Sequence, residues 1–206
     1  MVDIFQNGRK LPLIDEFYTI QGEGFHTGKP AYFIRVGGCD IGCSWCDSKI
    51  SWKPDLHRLV NVSEIVEKAA ETPAKAIVVT GGEPTTYQLD FLCSEIKKQN
   101  IKTFIETSGA YTLTGVWDWI CLSPKKQNPP QPEIFEIANE LKVIIFDDSD
   151  FEWAEKCALK VNVFCKLYMQ PEWSRHNELT PKIVEYVKNN PEWNISIQAH
   201  KFMKIP

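Results

Sequence analysis

Short runs of β-branched and apolar residues alternate along the chain with segments whose apolar positions recur at helical spacing. The predicted helices are one that Asn61 caps, one that begins at Pro132, and the segments 89–98, 151–159 and 181–187. The predicted strands cover residues 31–36, 75–80, 102–106, 119–122, 141–146, 165–169 and 195–199. This alternation is typical of a parallel sheet that is covered by helices.

The order of these elements also indicates the architecture. Right-handed crossovers place the loops that follow the parallel strands at one edge of the sheet. The chain has 206 residues, whereas a closed eight-fold barrel usually needs about 250. We therefore expect one α/β domain over residues 1–206 that forms an incomplete (β/α) barrel, with a doubly wound sheet as the competing architecture.

The composition excludes several functional classes. The formal net charge is −4, so the chain lacks the basic surface that is typical of nucleic-acid binding. No apolar run is long enough to span a membrane or to act as a signal peptide. We therefore expect a cytoplasmic protein with neither a nucleic-acid nor a membrane partner. Of the seven cysteines, Cys93, Cys121, Cys157 and Cys165 lie among apolar neighbours, and we expect them to be small buried hydrophobes.

The other three cysteines, Cys39, Cys43 and Cys46, form a C-x3-C-x2-C loop directly after the first predicted strand. A closed zinc site uses four ligands and a redox dithiol uses two. Three thiolates on one loop suit an iron–sulfur cubane that keeps one iron open for a ligand. Gly42 lets the backbone wrap closely around such a cluster, and Trp45 would shield it.

Two other interpretations of this loop stay open. Zinc would need a fourth ligand in addition to the three cysteines, and His57 and Cys93 are the candidates. A thioredoxin-like dithiol would use Cys43 and Cys46 alone, which leaves Cys39 without a role.

A second motif, Thr80-Gly81-Gly82-Glu83-Pro84, follows the next predicted strand. Its glycines let the backbone approach a ligand, and Glu83 would face a cationic group. A cysteine loop of this spacing followed by a Gly-Gly-Glu-Pro turn resembles the radical S-adenosylmethionine (SAM) superfamily. The resemblance implies an incomplete barrel of the radical SAM type, with a 4Fe–4S cluster on the three cysteines. It also implies that SAM binds the open iron and is reduced there to a 5′-deoxyadenosyl radical.

Further segments resemble one family within this superfamily, the 7-carboxy-7-deazaguanine synthases. The segments are Tyr18 to Gly24, Arg35, Glu106 to Gly109, Ser123 to Lys125, Gln170-Pro171 and His200 to Pro206. The resemblance implies a lyase that converts 6-carboxy-5,6,7,8-tetrahydropterin to 7-carboxy-7-deazaguanine by ring contraction with loss of ammonia, on the route to queuosine. It further implies a homodimer, Mg²⁺ as a cofactor, and a flavodoxin- or ferredoxin-type electron donor that the sequence does not identify.

The resemblance also implies a binding role for each site residue, with no protein acid or base in the radical step. The pterin would lie between an N-terminal hairpin and a docked C-terminal tail, where it contacts Ile20, Gln21, Gly22, Glu23, Arg35, Thr80 and the terminal carboxylate of Pro206. SAM would contact Trp45, Cys46, Asp47, Gly82, Glu83, Glu106, Ser123, Pro124, Lys125 and Gln170. Ser48 would bind Mg²⁺ at a position where many members carry threonine.

Chemistry supports the pterin contacts. A reduced pterin presents several N–H donors, which Glu23 would accept, and a carboxylate, which the guanidinium of Arg35 would clamp. Two other functions stay open as alternatives. One is a radical SAM protein that activates a glycyl radical enzyme, and the other is a zinc-stabilised binding module.

Overall fold

A computed structural model describes residues 3–206, and in this part of the chain nine strands form one sheet with helices packed against it. The strands are β1 (Lys10–Ile20), β2 (Pro30–Val36), β3 (Arg58–Asn61), β4 (Ala76–Gly81), β5 (Lys102–Thr107), β6 (Trp119–Leu122), β7 (Glu140–Ile145), β8 (Lys166–Pro171) and β9 (Trp193–Ile195). The α-helices are α1 (Val62–Ala70), α2 (Asp90–Lys98), α3 (Pro132–Ile137), α4 (Ser149–Ala158), α5 (His176–Asn189) and α6 (Ala199–Met203). No helix within residues 3–206 is long and apolar enough to cross a membrane.

The strand order decides between the two predicted architectures. The spatial order is β3-β1-β2-β4-β5-β6-β7-β8-β9, and the strands from β2 to β9 in this order run parallel. β1 pairs antiparallel with both β2 and β3. Because the parallel strands follow one another in chain order, right-handed crossovers place the helices on one face. A doubly wound sheet reverses its strand order, so the prediction of an open, incomplete (β/α) barrel is confirmed.

The main core lies between the sheet and the helix layer. On β4, Ile77 and Val79 pack in this core, while Val78 points to the opposite face and packs with Ala31 and Phe33. The strand is therefore buried on both faces, which explains its continuous apolar sequence. Toward the carboxyl ends of the strands the inner face becomes polar, and that change positions the site.

Several predicted boundaries are wrong. The last strand ends at Ile195, so the predicted strand 195–199 is wrong over most of its length, and Ala199 already begins α6. The helix predicted from Pro181 begins at His176, because the rest of the helix outweighs the one hydrogen bond that an internal proline removes. Asn61 precedes α1 as predicted, but its side chain donates to Glu64 Oε1 at 2.5 Å instead of capping a backbone N–H.

Candidate active site in the barrel

A cavity of about 520 Å³ opens where the parallel strands end. Its walls come from the cysteine loop, the carboxyl ends of β4 to β8, the β1–β2 hairpin and the C-terminal segment. All but one of the predicted site residues line it. The lining includes Ile20, Gln21, Gly22, Glu23, Arg35, Cys39, Cys43, Trp45, Cys46, Asp47, Ser48, Thr80, Gly82, Glu83, Glu106, Ser123, Lys125, Gln170 and Pro206. Pro124 is not among the lining residues, so its predicted contact stays a prediction.

The three cysteines of the loop meet in this cavity. Gly42 takes a φ of 72°, a left-handed conformation that suits glycine, and the loop folds back so that the Cys46 N–H donates to the Cys43 carbonyl at 3.1 Å. Burial raises the pKa of the Cys39 and Cys43 thiols. Three thiols on one short loop, opening into a cavity large enough for a further ligand, fit a cluster with one open iron.

The predicted fourth zinc ligands lie elsewhere. His57 Nε2 lies 2.9 Å from the Ile50 carbonyl oxygen, and Cys93 is buried against Gly115. Neither belongs to the cavity lining formed by residues 3–206. Over the same residues, no group of three His, Cys, Asp or Glu side chains is arranged to hold one metal ion. In a cubane cluster each thiolate binds a different iron, so the three cysteines do not need to converge on one metal ion.

The Gly-Gly-Glu-Pro turn packs directly against the cysteine loop. A Cβ at position 82 would overlap the Gly38 carbonyl oxygen, so glycine is required there. The Gly82 N–H donates to the Val36 carbonyl at 2.7 Å, and the Glu83 N–H donates to the Gly38 carbonyl at 2.8 Å. These bonds join the turn to the strand end that leads into the cysteines.

Glu83 itself is buried and almost fully hydrogen-bonded. Its Oε1 accepts from the hydroxyls of Thr85 at 2.7 Å and Thr107 at 2.5 Å, and its Oε2 accepts from the Ser108 N–H at 2.7 Å. The carboxylate therefore ties β4 to β5 at the cavity wall. This tie is a structural role in addition to the predicted cofactor contact.

The loop after β6 carries a half-buried cation, Lys125. Lys125 Nζ donates to the Ser123 carbonyl at 2.5 Å and to the Ser123 hydroxyl at 2.8 Å, and it lies 5.8 Å from the centre of the Trp45 ring. Burial lowers the pKa of Lys125. Lys126 instead points outward to Asp150. The two adjacent lysines therefore differ in role, and only Lys125 belongs to the site.

A second group of charges forms what we call the charged wall, which consists of Glu23, Glu106 and Lys142. Lys142 on β7 is 2% exposed, and its Nζ donates to Glu23 Oε2 at 2.5 Å and to Glu106 Oε2 at 2.9 Å. Gln21 Nε2 donates to Glu106 Oε1 at 3.0 Å, and Gln198 Nε2 donates to Glu23 Oε1 at 2.9 Å. Each carboxylate is thus held from two sides.

The charged wall fixes the ionisation of its members. Burial alone would raise the pKa of Glu23, but the charge and hydrogen bond of Lys142 and the hydrogen bond of Gln198 outweigh it and lower the pKa to about 2. Burial alone would lower the pKa of Lys142, but the negative charges around it, including its ion-pair partners Glu106 and Glu23, raise it well above its ordinary value. The structure therefore presents the ionised, acceptor-only carboxylate of Glu23 to the cavity.

Hydrogen bonds to other segments of the chain hold the turn that carries Glu23 in place. The Gly24 N–H donates to Ser196 Oγ at 2.9 Å, and the Ser196 hydroxyl donates to Gln170 Oε1 at 2.6 Å. The Phe25 N–H donates to Glu140 Oε2 at 3.3 Å. The amide of Gln170 therefore supports the hairpin, which is a role beyond its predicted cofactor contact.

Arg35 is a half-buried cation on the inner face of β2. Its Nη1 lies 3.4 Å from Asp15 Oδ2, and its guanidinium lies 5.0 Å from the centre of the Phe17 ring. The side chain also lines the cavity. Because a 3.4 Å contact is a loose ion pair, the guanidinium keeps donors available for a ligand carboxylate.

The C-terminal segment closes another side of the cavity. The Ala199 N–H donates to the Gly22 carbonyl at 2.8 Å, and a Cβ at position 22 would overlap the His200 ring. Lys201 Nζ donates to Asp47 Oδ2 at 2.8 Å, next to the cysteine loop. The segment therefore links the β1–β2 hairpin to the cysteine loop.

Ser48, the predicted magnesium ligand, lines the cavity two residues after Cys46, and its role at a metal stays a prediction. Its backbone N–H donates to Cys46 Sγ at 3.4 Å. The Ser48 carbonyl accepts from the Ser51 hydroxyl at 2.7 Å. These backbone bonds leave the side-chain oxygen available for a cation, and oxygen is the donor that Mg²⁺ prefers.

The sequence analysis did not single out three residues that line the cavity, Lys142, Gln198 and Trp173. Lys142 interrupts the apolar run of a strand that is predicted to be buried on both faces, which is a usable signal for a functional charge. Gln198 and Trp173 carry no such signal. Trp173 lies under Lys201, whose Nζ is 4.8 Å from the ring centre.

Comparisons with known proteins agree with this geometry. The profile of the Radical SAM superfamily matches residues 33–121. The chain is 56% identical over 201 residues to the 7-carboxy-7-deazaguanine synthase of Flavobacterium psychrophilum. The matched region covers 98% of this chain and 95% of that protein. It is 44% identical over 194 residues to the synthase of the same name from Synechocystis sp., covering 94% of this chain and 93% of that protein.

A solved structure extends the likeness to the fold. The crystal structure of QueE from Escherichia coli superposes with a TM-score of 0.83 at 28% sequence identity, over 95% of this chain and 97% of that one. The likeness in sequence and fold thus extends over nearly the whole chain. The chain therefore belongs to the 7-carboxy-7-deazaguanine synthase family of the radical SAM superfamily.

Proposed function

We propose that the protein converts 6-carboxy-5,6,7,8-tetrahydropterin to 7-carboxy-7-deazaguanine, with ring contraction and loss of ammonia, in queuosine biosynthesis. The observation that carries the proposal is one cavity that combines three cysteines on a short loop, ionised carboxylate acceptors and a half-buried arginine. These are the groups that a radical SAM enzyme acting on a carboxylated pterin needs. The enzyme acts on a small molecule and requires a reductant.

The cofactors are a 4Fe–4S cluster, SAM and Mg²⁺. When bound, the cluster and SAM supply a 5′-deoxyadenosyl radical that removes hydrogen from C6 of the substrate. Cys39, Cys43 and Cys46 would hold the cluster. The contacts to SAM would come from Trp45, Cys46, Asp47, Gly82, Glu83, Glu106, Ser123, Pro124, Lys125 and Gln170.

The substrate contacts follow from matching polar groups. Glu23 is ionised and accepts N–H bonds from the ring, while the backbone of Ile20 to Gly22 reads the ring edge. Arg35 pairs with the substrate carboxylate, and Thr80 offers a hydroxyl nearby. The terminal carboxylate of Pro206 accepts a further ring donor. Ser48 contributes one oxygen to Mg²⁺, and the substrate and water contribute the others.

The resemblance supports two further properties, a homodimer and an electron donor of the flavodoxin or ferredoxin type. It does not support the alternative of an activating protein for a glycyl radical enzyme, because the relatives found are synthases. A binding module built on zinc is likewise unsupported, because the candidate fourth ligands His57 and Cys93 do not line the cavity that the three cysteines share.

The direct test is turnover by anaerobically reconstituted protein. The reduced enzyme is mixed with SAM, Mg²⁺ and carboxytetrahydropterin, and the pterin and adenosyl products are separated by mass spectrometry. We expect a deazapurine to accumulate without net consumption of SAM. Cleavage of SAM without a pterin-derived product would exclude this function. Colourless protein that binds one zinc would exclude radical chemistry altogether.

A further inference from the structure

Lys142 is the one member of the charged wall for which the proposed reaction has no assigned task. It is 2% exposed, it lies on the inner face of β7, and it bridges Glu23 at 2.5 Å and Glu106 at 2.9 Å. A buried lysine is expensive unless its charge is paired. Its position in the cavity lining, between two carboxylates, therefore calls for a function.

Each carboxylate approaches the cation from a separate part of the chain. Glu23 comes from the β1–β2 hairpin, Glu106 from the end of β5, and Lys142 from β7. Because both carboxylate oxygens reach one nitrogen atom, the ammonium fixes the distance between the hairpin and the sheet. It also neutralises one of two like charges that would otherwise repel each other.

We propose that Lys142 is a positioning residue that sets substrate specificity. Its ammonium keeps the carboxylates of the charged wall as hydrogen-bond acceptors only. Such a surface selects a ligand edge that carries two adjacent N–H donors. A 2-amino-4-oxopyrimidine ring, the half of a pterin that resembles guanine, presents such an edge through its 2-amino group and N3–H. A 2,4-dioxo ring presents one donor and one acceptor there and meets repulsion from an ionised carboxylate. This inference rests on the proposed function and names the group that enforces it.

Loss of the cation changes the chemistry of the wall in a defined way. Without the ammonium, the half-buried carboxylates of Glu23 and Glu106 face each other across one site, and their repulsion favours uptake of a proton by one of them. A protonated carboxyl carries one O–H donor and one acceptor. That pattern matches the 2,4-dioxo ring as well as the 2-amino-4-oxo ring, so the preference for the pterin disappears.

Other ionisable groups around the wall do not replace Lys142. Burial raises the pKa of Glu140, which lies two residues before Lys142 on β7, and of Cys121 on β6. Burial lowers the pKa of His200 on α6 and of Lys125 after β6. Burial thus opposes charge on all four groups, whereas Lys142 holds both carboxylates of the wall through direct ion pairs.

The test measures binding and does not depend on turnover. Reconstituted holoenzyme with an oxidised cluster and SAM is dialysed to equilibrium against 6-carboxypterin or 6-carboxylumazine, which differ only at position 2. We expect the wild type to bind the pterin at least about tenfold more tightly, as expected for charge-assisted hydrogen bonds. The Lys142→Met variant is expected to bring this ratio to about one. Lys156→Met, at a lysine exposed on α4, serves as the matched control.

The pH dependence gives a second readout that a merely structural role would not produce. In the wild type the ratio stays constant between about pH 5 and about pH 7, above the ordinary carboxylate pKa. In Lys142→Met, pterin affinity falls as the pH falls, because the wall takes up a proton. Lys142→Arg, which keeps the charge, is expected to restore the preference.

Each outcome separates the inference from the function on which it rests. If the wild type binds neither ligand, the proposed function and this inference both fail. If the wild type prefers the pterin and Lys142→Met keeps that preference, only the inference fails. If Lys142→Met does not fold, the same binding ratio is measured in Glu23→Gln, a variant in which Lys142 is intact. This variant presents one donor and one acceptor, so loss of its preference supports the inference and a retained preference overturns it.

Discussion

The cysteine loop and the charged wall lie in the same cavity, but different forces shape them. Backbone bonds hold the loop, such as that from Cys46 to the Cys43 carbonyl, and its thiols point into the cavity. Ion pairs between side chains hold the wall, such as those of Lys142. The loop is completed by a cofactor, whereas the wall is complete in the polypeptide alone. A substitution in one region should therefore leave the other region intact.

Removal of one cluster ligand is expected to have the largest effect. Cys43→Ala should abolish turnover and cluster assembly, so that iron falls from about four per chain in the wild type. The free energy of unfolding should change by only about 1 kcal/mol, because one small buried side chain is shortened. Iron analysis and visible absorbance measure the loss.

The control for this variant is Cys93→Ala, a buried cysteine outside the cavity. It should keep the cluster and the activity. If Cys43→Ala assembled a normal cluster, the loop would not be the cluster site.

Removal of the Glu23 carboxylate is expected to have the second largest effect, and it should leave the cysteine loop intact. Glu23→Ala should weaken pterin binding by about 1.5–3 kcal/mol, the usual value of a hydrogen bond to a charged group, with normal iron content. Calorimetry with 6-carboxypterin measures it. Glu152→Ala on the exposed surface of α4 is the control. Wild-type affinity in Glu23→Ala would remove this residue from the pocket.

Replacement of Arg35 by lysine should have a smaller effect. Lysine keeps the charge but loses the planar fork and the contact with the Phe17 ring. We expect affinity for carboxylated pterins to drop about tenfold, or about 1.4 kcal/mol, while affinity for the pterin without its carboxylate stays unchanged. An equal loss for both ligands would show that Arg35 does not contact the carboxylate.

The smallest effect concerns the pH dependence of the C-terminal segment. Burial lowers the pKa of His200, although the charge of Glu23 acts in the opposite direction. The neutral ring therefore favours the docked segment, and this contribution is present above the unfolded pKa of about 6.5 and lost as the pH falls below it.

Hydrogen exchange of residues 199–206 measures this effect. After correction for intrinsic rates, exchange should accelerate between about pH 7 and about pH 5 in the wild type. It should not accelerate in His200→Gln. Equal behaviour of the two proteins would assign the docking of the segment to other contacts.

The sequence predicted much of the site because the chemistry is local in the chain. Cys39, Cys43 and Cys46 lie on one loop, and Gly82 and Glu83 lie on one turn, so both motifs can be read directly in the sequence and carry its resemblance to the radical SAM superfamily. The strand-and-helix alternation likewise predicted an open (β/α) barrel. Short elements such as β3 escaped prediction because only their pairing with β1 stabilises them.

Tertiary structure alone decided the rest. Glu23, Glu106 and Lys142 are far apart in the chain, and only the fold brings them together around one ammonium. Their ionisation depends on burial and on mutual distance, which sequence spacing does not encode. The sequence by itself determined which residues form the cysteine loop and the alternation of strands and helices that follows it. The three-dimensional fold determined which charges meet, because electrostatic interactions depend on separation in space.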